Sequence, residues 1–174
     1  MPVEHIPSLP RHHAVDQVRR ARNLRRVGLG ALALVVGLGL ATFLGARSAT
    51  TASTAAGYTM VVTHPVVTRP GLATPLRIEV GHAGGFAGPV TLAVSREIFE
   101  RFDFQNLYPN PSAETGSDAY VYYEFDPPPG DRLRVSLDGR TSPDQNGSVG
   151  NHRVALVMDG QPVTEVRFRM VVMP

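Results

Sequence analysis

Cysteine is absent from this 174-residue chain, and so is lysine: all 17 basic residues are Arg. Without Cys there is no disulfide framework, no thiolate metal site, no Cys nucleophile and no lipid-modified lipobox. The missing Lys reads as a G+C-rich coding bias rather than as chemistry. Catalytic signatures are missing too: no phosphate loop, no Gly-x-Ser-x-Gly elbow and no His-Glu-x-x-His helix. Charge is absent from the one long apolar stretch, residues 27–46, and that absence is the most informative of all.

Those 20 residues hold six Leu, three Val, Phe43, five Gly, four Ala and Thr42. As a helix they would measure roughly 30 Å, the thickness of a bilayer's hydrocarbon core. The large apolar side chains favour insertion by roughly 3 to 6 kcal/mol with no charge opposing them. The sequence therefore predicts one transmembrane helix over 27–46. Arg19, Arg20, Arg22, Arg25 and Arg26 crowd its N-terminal side and only Arg47 follows it, so residues 1–26 form a cytoplasmic basic tail and the rest lies outside. A cleaved secretory signal is the competing reading, with Ser53-Thr54-Ala55 as a distant cut site. The run exceeds the usual signal core, which favours a retained anchor. Ala33, Gly37, Ala41 and Gly45 recur every four residues and would line one helix face, where a second membrane helix could approach closely. The bilayer is thus one expected partner and an integral membrane protein another.

Net charge divides along the same boundary. Residues 1–57 carry seven Arg against two acids, a net +5, and residues 58–174 carry ten Arg against thirteen acids, a net −3. The pI of about 9.4 describes a basic tail on a mildly acidic domain and argues against a nucleic-acid binder. Between the two, residues 47–57 read RSATTASTAAG, small and polar throughout, the composition of a flexible linker.

From Tyr58 onward the apolar period is two. Leu76, Ile78 and Val80 alternate with polar or small neighbours, as do Val90, Leu92 and Val94; Val121, Tyr123 and Phe125; Leu133, Val135 and Leu137; Val154, Leu156 and Met158; and Val166, Phe168, Met170 and Val172. Tyr58–Thr68 reads as an edge strand because of Pro65. Pro70-Gly71, Gly84-Gly85, Pro127–Gly130, Asn146-Gly147 and Asp159-Gly160 punctuate the runs as turns, the last a hairpin signal. Arg96–Phe104 alone has helical spacing and predicts one or two turns of helix. The expected fold of residues 58–174 is all-β, an immunoglobulin-like antiparallel sandwich of about seven strands.

Thr68-Arg69-Pro70-Gly71 before an alternating strand, and Phe125-Asp126 with three prolines and Gly130 before Leu133-Arg134-Val135, resemble extracytoplasmic immunoglobulin-like or fibronectin-like modules of bacterial surfaces. Over residues 27–174 the chain is similar to single-pass membrane proteins of high-G+C Gram-positive bacteria. That resemblance implies a fold and a location and carries over no catalytic residue.

Few residues suggest chemistry. His64, His82 and His152 are scattered, His12-His13 lie in the tail, and Asp144–Ser148 only faintly echoes a calcium loop, so neither a metal nor any other cofactor is expected. Tyr120 and Tyr122 share the outward face of their strand with Glu124 beside them, a pattern suited to sugar or protein recognition. The competing reading packs both tyrosines under the 105–118 loop. The expectation is a non-enzymatic accessory or binding protein on the membrane. The alternatives are a carbohydrate- or envelope-polymer-binding module and, more weakly, a hydrolase using Glu124, Asp126 and Asp131.

Overall fold

The computed structural model describes residues 11–40, 47–145 and 147–173, with side chains described from residue 19 onward except Leu40. The chain divides into two units, residues 1–44 and 45–174. In the first, among the described residues, an α-helix, α1, runs Arg11–Leu40 and carries six arginines, Arg11, Arg19, Arg20, Arg22, Arg25 and Arg26. No helix among the described residues is long and apolar enough to cross a membrane. Only residues 27–40 of the expected span lie in the described helix, which gives about 21 Å of apolar rise. Residues 41–46, including Ala41 and Gly45, lie outside the described residues.

The second unit is all-β. Ten strands are described: β1 Arg47–Ala55, β2 Tyr58–Thr68, β3 Leu76–His82, β4 Val90–Ser95, β5 Phe102–Tyr108, β6 Ala113–Gly116, β7 Tyr120–Phe125, β8 Arg132–Thr141, β9 Ser148–Met158 and β10 Gln161–Val172. They follow one hydrogen-bonded path, β5-β8-β3-β2-β10-β9-β4-β7-β6, with β1 paired to β2 off the path. Every pairing is antiparallel except β2 with β10, at Val67 and Thr68. The path curls so that both halves share one core, in which Met60, Val62, Ile78, Leu92, Phe102, Phe125, Leu156 and Val166 are all buried. Within it Tyr123 is pushed up to about 12, first by burial and then by the Glu114 carboxylate on the neighbouring strand.

Three sequence expectations need correction. Residues 47–55 form a strand and not a free spacer: β1 pairs with β2 along its whole length, from Arg47 opposite Val67 to Ala55 opposite Tyr58. Its inward residues Ala49, Thr51, Ser53 and Ala55 are small enough to lie against the core's flank, where Thr164 Oγ1 donates to Ser53 Oγ at 2.7 Å. Second, β2 is not an edge strand, since β1 and β3 flank it on either side. Pro65 is tolerated because the β3 ladder stops at Thr63 and the β1 ladder shifts register between Arg47 and Ser48, opposite Pro65 and Val67. Beyond that point β2 leaves β3 and joins β10. Third, the helical spacing of 96–104 yields one short 3-10 turn, Arg96–Ile98, before the chain extends into β5. Strands β1, β5 and β6 account for the excess over seven.

The turns follow the expected chemistry more closely. Asp159 and Gly160 both take positive φ, 51° and 74°, in the two-residue hairpin between β9 and β10. The β1–β2 hairpin does the same with Ala56 and Gly57, at 50° and 81°.

Candidate functional site

The expected Tyr120, Tyr122 and Glu124 do share one face of β7. Tyr123 and Phe125 point into the core, and all three outward residues are half-buried. The 105–118 segment does not cover them. It supplies strands β5 and β6, and β6 extends the sheet sideways, with Thr115 opposite Tyr122 and Ala113 opposite Glu124. The β6–β7 turn fixes the first tyrosine: Ser117 Oγ donates to the Tyr120 carbonyl at 3.1 Å, and Arg96 Nη1 donates to the Ser117 carbonyl at 2.7 Å. The two tyrosine rings lie 6.2 Å apart between centroids.

Register then extends this face across the sheet. Tyr122 is opposite Ala93, Ala93 opposite Ala155, and Ala155 opposite Glu165. One row along, Tyr120 is opposite Ser95, and Arg153 is opposite Arg167. The Arg153 N–H donates to Ser95 Oγ at 3.1 Å, which joins those two pairs into a second row. Beyond it Arg169 is opposite Asn151. With strands spaced about 4.8 Å apart, Tyr120 and Arg167 stand about 14 Å apart along their row. Ala93 and Ala155 are buried although they point away from the core, so the face has a floor of small residues between a pair of rings and a group of arginines.

Arg153, Arg167 and Arg169 are exposed. With Asn151 they border a shallow depression of about 480 Å³. A second depression of about 350 Å³, bordered by Ser95, Tyr120 and Arg153, adjoins it through the shared Arg153. Arg167 is ion-paired with Glu165, the main reason its guanidinium is held still more basic than usual. Among the described residues Arg153 and Arg169 make no ion pair. The outer face of the other half differs. There Arg132 and Arg134 share the one Glu79 carboxylate, each at 2.9 Å, and the hydrogen bond from Arg134 leads in holding that carboxyl below its usual range.

The histidines partly converge, but inside. His64 and His152 both lie against Phe168, at ring distances of 4.4 and 5.9 Å. His64 Nδ1 donates to the Pro65 carbonyl at 3.2 Å, and its Nε2 meets Thr51 Oγ1 at 3.3 Å. His82 stacks on Tyr58 at 4.2 Å near the β1–β2 turn. No cluster of three metal-ligating side chains occurs among the described residues. Of the three carboxylates considered for hydrolysis, Glu124 lies on β7 and Asp131 precedes β8 on the other half, 4.0 Å from Arg132 Nε. In α1 Arg19, Arg20, Arg22, Arg25, Arg26, Ala33 and Gly37 are exposed, and beyond the helix's own backbone no described atom lies within 4 Å of where a Gly37 Cβ would stand.

Sequence reading missed Ser95, Arg153, Arg167, Arg169 and the alanine floor. Each is visible as an outward residue of its own strand, but only strand order brings β4, β9 and β10 beside β7, and no local pattern encodes that order.

No family model matches the chain, and comparison with curated proteins gives no match either. Among solved structures, the CaDoc0917(R16D)–CaCohA2 complex is similar at TM-score 0.39 and 10% identity, over 62% of this chain and 93% of that one. A β-glucosidase from Listeria innocua in complex with gluconolactone is similar at 0.34 and 11%, over 74% of this chain and 16% of the glucosidase. The alkylpurine DNA glycosylase AlkC of Pseudomonas fluorescens follows at 0.31 and 12%, over 76% and 32%. At such scores none of these likenesses carries an argument about function.

Proposed function

We propose that this chain is a non-enzymatic, single-pass membrane protein that displays one immunoglobulin-like β-sandwich outside the cytoplasmic membrane as a binding or accessory module. The anchor is residues 27–46 and the basic tail stays in the cytoplasm. Its support is an apolar surface that water does not favour: Leu24, Val27, Leu29, Leu32, Leu34, Val35, Val36 and Leu38 are all exposed on α1. Arg19, Arg20, Arg22, Arg25 and Arg26 cluster at the N-terminal end of that surface, which favours keeping this end in the cytoplasm.

The binding surface is the outer face of β7, β4, β9 and β10. The observation that carries this reading is the pair of adjoining rows, Tyr122–Ala93–Ala155–Glu165 and Tyr120–Ser95–Arg153–Arg167, in which rings and guanidinium groups flank a low floor. Internal strands have spent their backbone groups on one another, so this face recognises a ligand through side chains.

A photo-crosslinking side chain at position 122 of the full chain in intact cells tests the surface, with position 77 on the opposite outer face as reference. Adducts at 122 in clear excess over 77 are expected. Equal yields, or none at 122, would refute the assignment.

A further inference from the structure

Among the described residues the hydrogen-bonded path ends at β5 and β6, β1 is paired on the β2 side alone, and β10 meets a second strand only at Val171 and Val172. A free edge is a row of unpaired N–H and C=O groups, and folds blunt such rows with charge, proline, bulges or brevity. β6 is four residues long and carries Glu114. β5 carries Asp103, shifts register between Phe104 and Asn106 and runs into Pro109. β10 carries Pro162, Glu165, Arg167 and Arg169. β1 has no such guard from Ser48 to Ala55, where small, uncharged residues follow one another along an unbroken ladder.

We infer that β1 pairs edge to edge with β1 of a second copy of this chain, antiparallel and centred on Ala52. The inference goes beyond the binding surface on β7, β4, β9 and β10 and does not depend on it. The backbone sets which residues take part. Two loop residues separate Ala55 from Tyr58, which makes those two a hydrogen-bonded pair. The N–H and C=O groups of Ala49, Thr51, Ser53 and Ala55 therefore go to β2, and those of Ser48, Thr50, Ala52 and Thr54 point to the open side. The side chains of these last four are exposed.

The sequence of the edge then favours a copy of itself over an unrelated strand. Residues 49–55 read ATTASTA, which reversal leaves unchanged except that one Ser and one Thr trade places. Antiparallel pairing about Ala52 sets Ala52 against the partner's Ala52 and Thr50 against the partner's Thr54. On the inner face it sets Thr51 against the partner's Ser53 and Ala49 against the partner's Ala55. Thr50, Ala52 and Thr54 are the residues with open backbone groups, so this register closes bonds symmetrically about a two-fold axis, as an isologous interface requires. Thr50 and Thr54 already meet Thr63 and Thr59 of β2 through their hydroxyls, at 3.1 and 3.2 Å. The pairing extends both contacts into rows of threonine that run across the joint, where Thr–Thr neighbours favour a sheet.

The test uses the full chain in non-ionic detergent. The chain has no Cys, so Ala52→Cys introduces a single thiol. Hydrogen-bonded antiparallel neighbours stand about 5.5 Å apart at Cα, within disulfide reach. Mild oxidation should link Ala52→Cys into a dimer much faster than Thr115→Cys, which places its thiol on the exposed, guarded edge strand β6. Sedimentation should show a parent dimer that dissociates on dilution. Ala52→Lys and Ala52→Glu each oppose like charges at the two-fold axis and should weaken it at least about tenfold with the thermal midpoint unchanged, since position 52 is exposed in the single chain. Mixing the two variants should restore dimerisation, which a merely structural effect of either substitution would not do. A parent that is monomeric at every accessible concentration, a dimer that survives Ala52→Lys, equal crosslinking at 115, or a mixture that stays monomeric would each overturn the inference.

Discussion

His152 is 1% exposed, and neither of its ring nitrogens has a hydrogen-bond partner among the described residues. Burial pushes its pKa down to about 4, with the charges of Arg101 and His64 adding to the effect. Burial lowers His64 as well, against a smaller opposing contribution from its bond to Pro65. In the unfolded chain a histidine takes up its proton near pH 6.5, so between about 6.5 and 4 the unfolded state binds more protons than the folded one. Stability is therefore complete above about pH 6.5 and declines as pH falls through that window, by at most about 3 kcal/mol from His152. Urea midpoints at pH 7.5 and 4.5 should show this loss. His152→Leu should remove most of it without lowering stability at pH 7.5, because the replaced nitrogens satisfy no partner. An acid loss as large in the variant as in the parent would contradict the assignment. Gly139 offers a second check of close packing. A Cβ there would stand 2.8 Å from Phe104 Cα and collide with the Asp103 carbonyl, where the β5–β8 ladder shifts register. Gly139→Ala should lower stability by about 1 to 3 kcal/mol, read as a reduced thermal midpoint.

At the scale of the element, β1 separates what local pattern encodes from what it does not. The alternating runs at 76–80, 90–94, 121–125, 133–137, 154–158 and 166–172 were legible because each has one apolar face, and each is a strand. RSATTASTA has no such face. It becomes a strand because β2 offers it a ladder and because its small side chains fit beside Thr164 and the His64–Phe168 stack. Both are tertiary causes, invisible at the level of composition. Its turn was hidden for a similar reason: Ala56 occupies a left-handed conformation, φ 50°, that Asn or Gly would announce. Ala56→Asn should stabilise the hairpin by about 0.5 to 1 kcal/mol, since Asn-Gly suits that turn. A lower midpoint in the variant would argue against the hairpin. Truncation separates strand from spacer. A chain starting at Arg47 should melt close to the parent β unit, whereas one starting at Tyr58 should lose several degrees and show fast amide exchange along β2. Indistinguishable melting of the two would return residues 47–55 to the role of a tether.

At the scale of the whole molecule the partition of charge and apolar surface remains. The candidate face was half legible in this sense: Tyr120, Tyr122 and Glu124 follow from the period-two pattern of one strand, while Arg153 and Arg169 enter only when the chain's path lays β9 and β10 beside β4. The proposed anchor poses the opposite problem, being plain in composition and dependent on residues 41–46 for its full length. Leu34, Val35 and Val36 lie in the described helix, are exposed and sit at the middle of the expected span. An Arg at the centre of a membrane helix opposes insertion by about 2.5 to 3.5 kcal/mol. Val35→Arg with Val36→Arg would therefore oppose insertion by about 5 to 7 kcal/mol, enough to cancel the favourable sum over the span. The parent chain should stay with the membrane fraction after alkaline carbonate washing, and protease added to intact cells should remove the β unit but spare the tail. The double variant should move to the soluble fraction and become resistant to external protease. A parent chain released by carbonate, or a variant that remains membrane-bound, would mean that this apolar helix does something other than anchor.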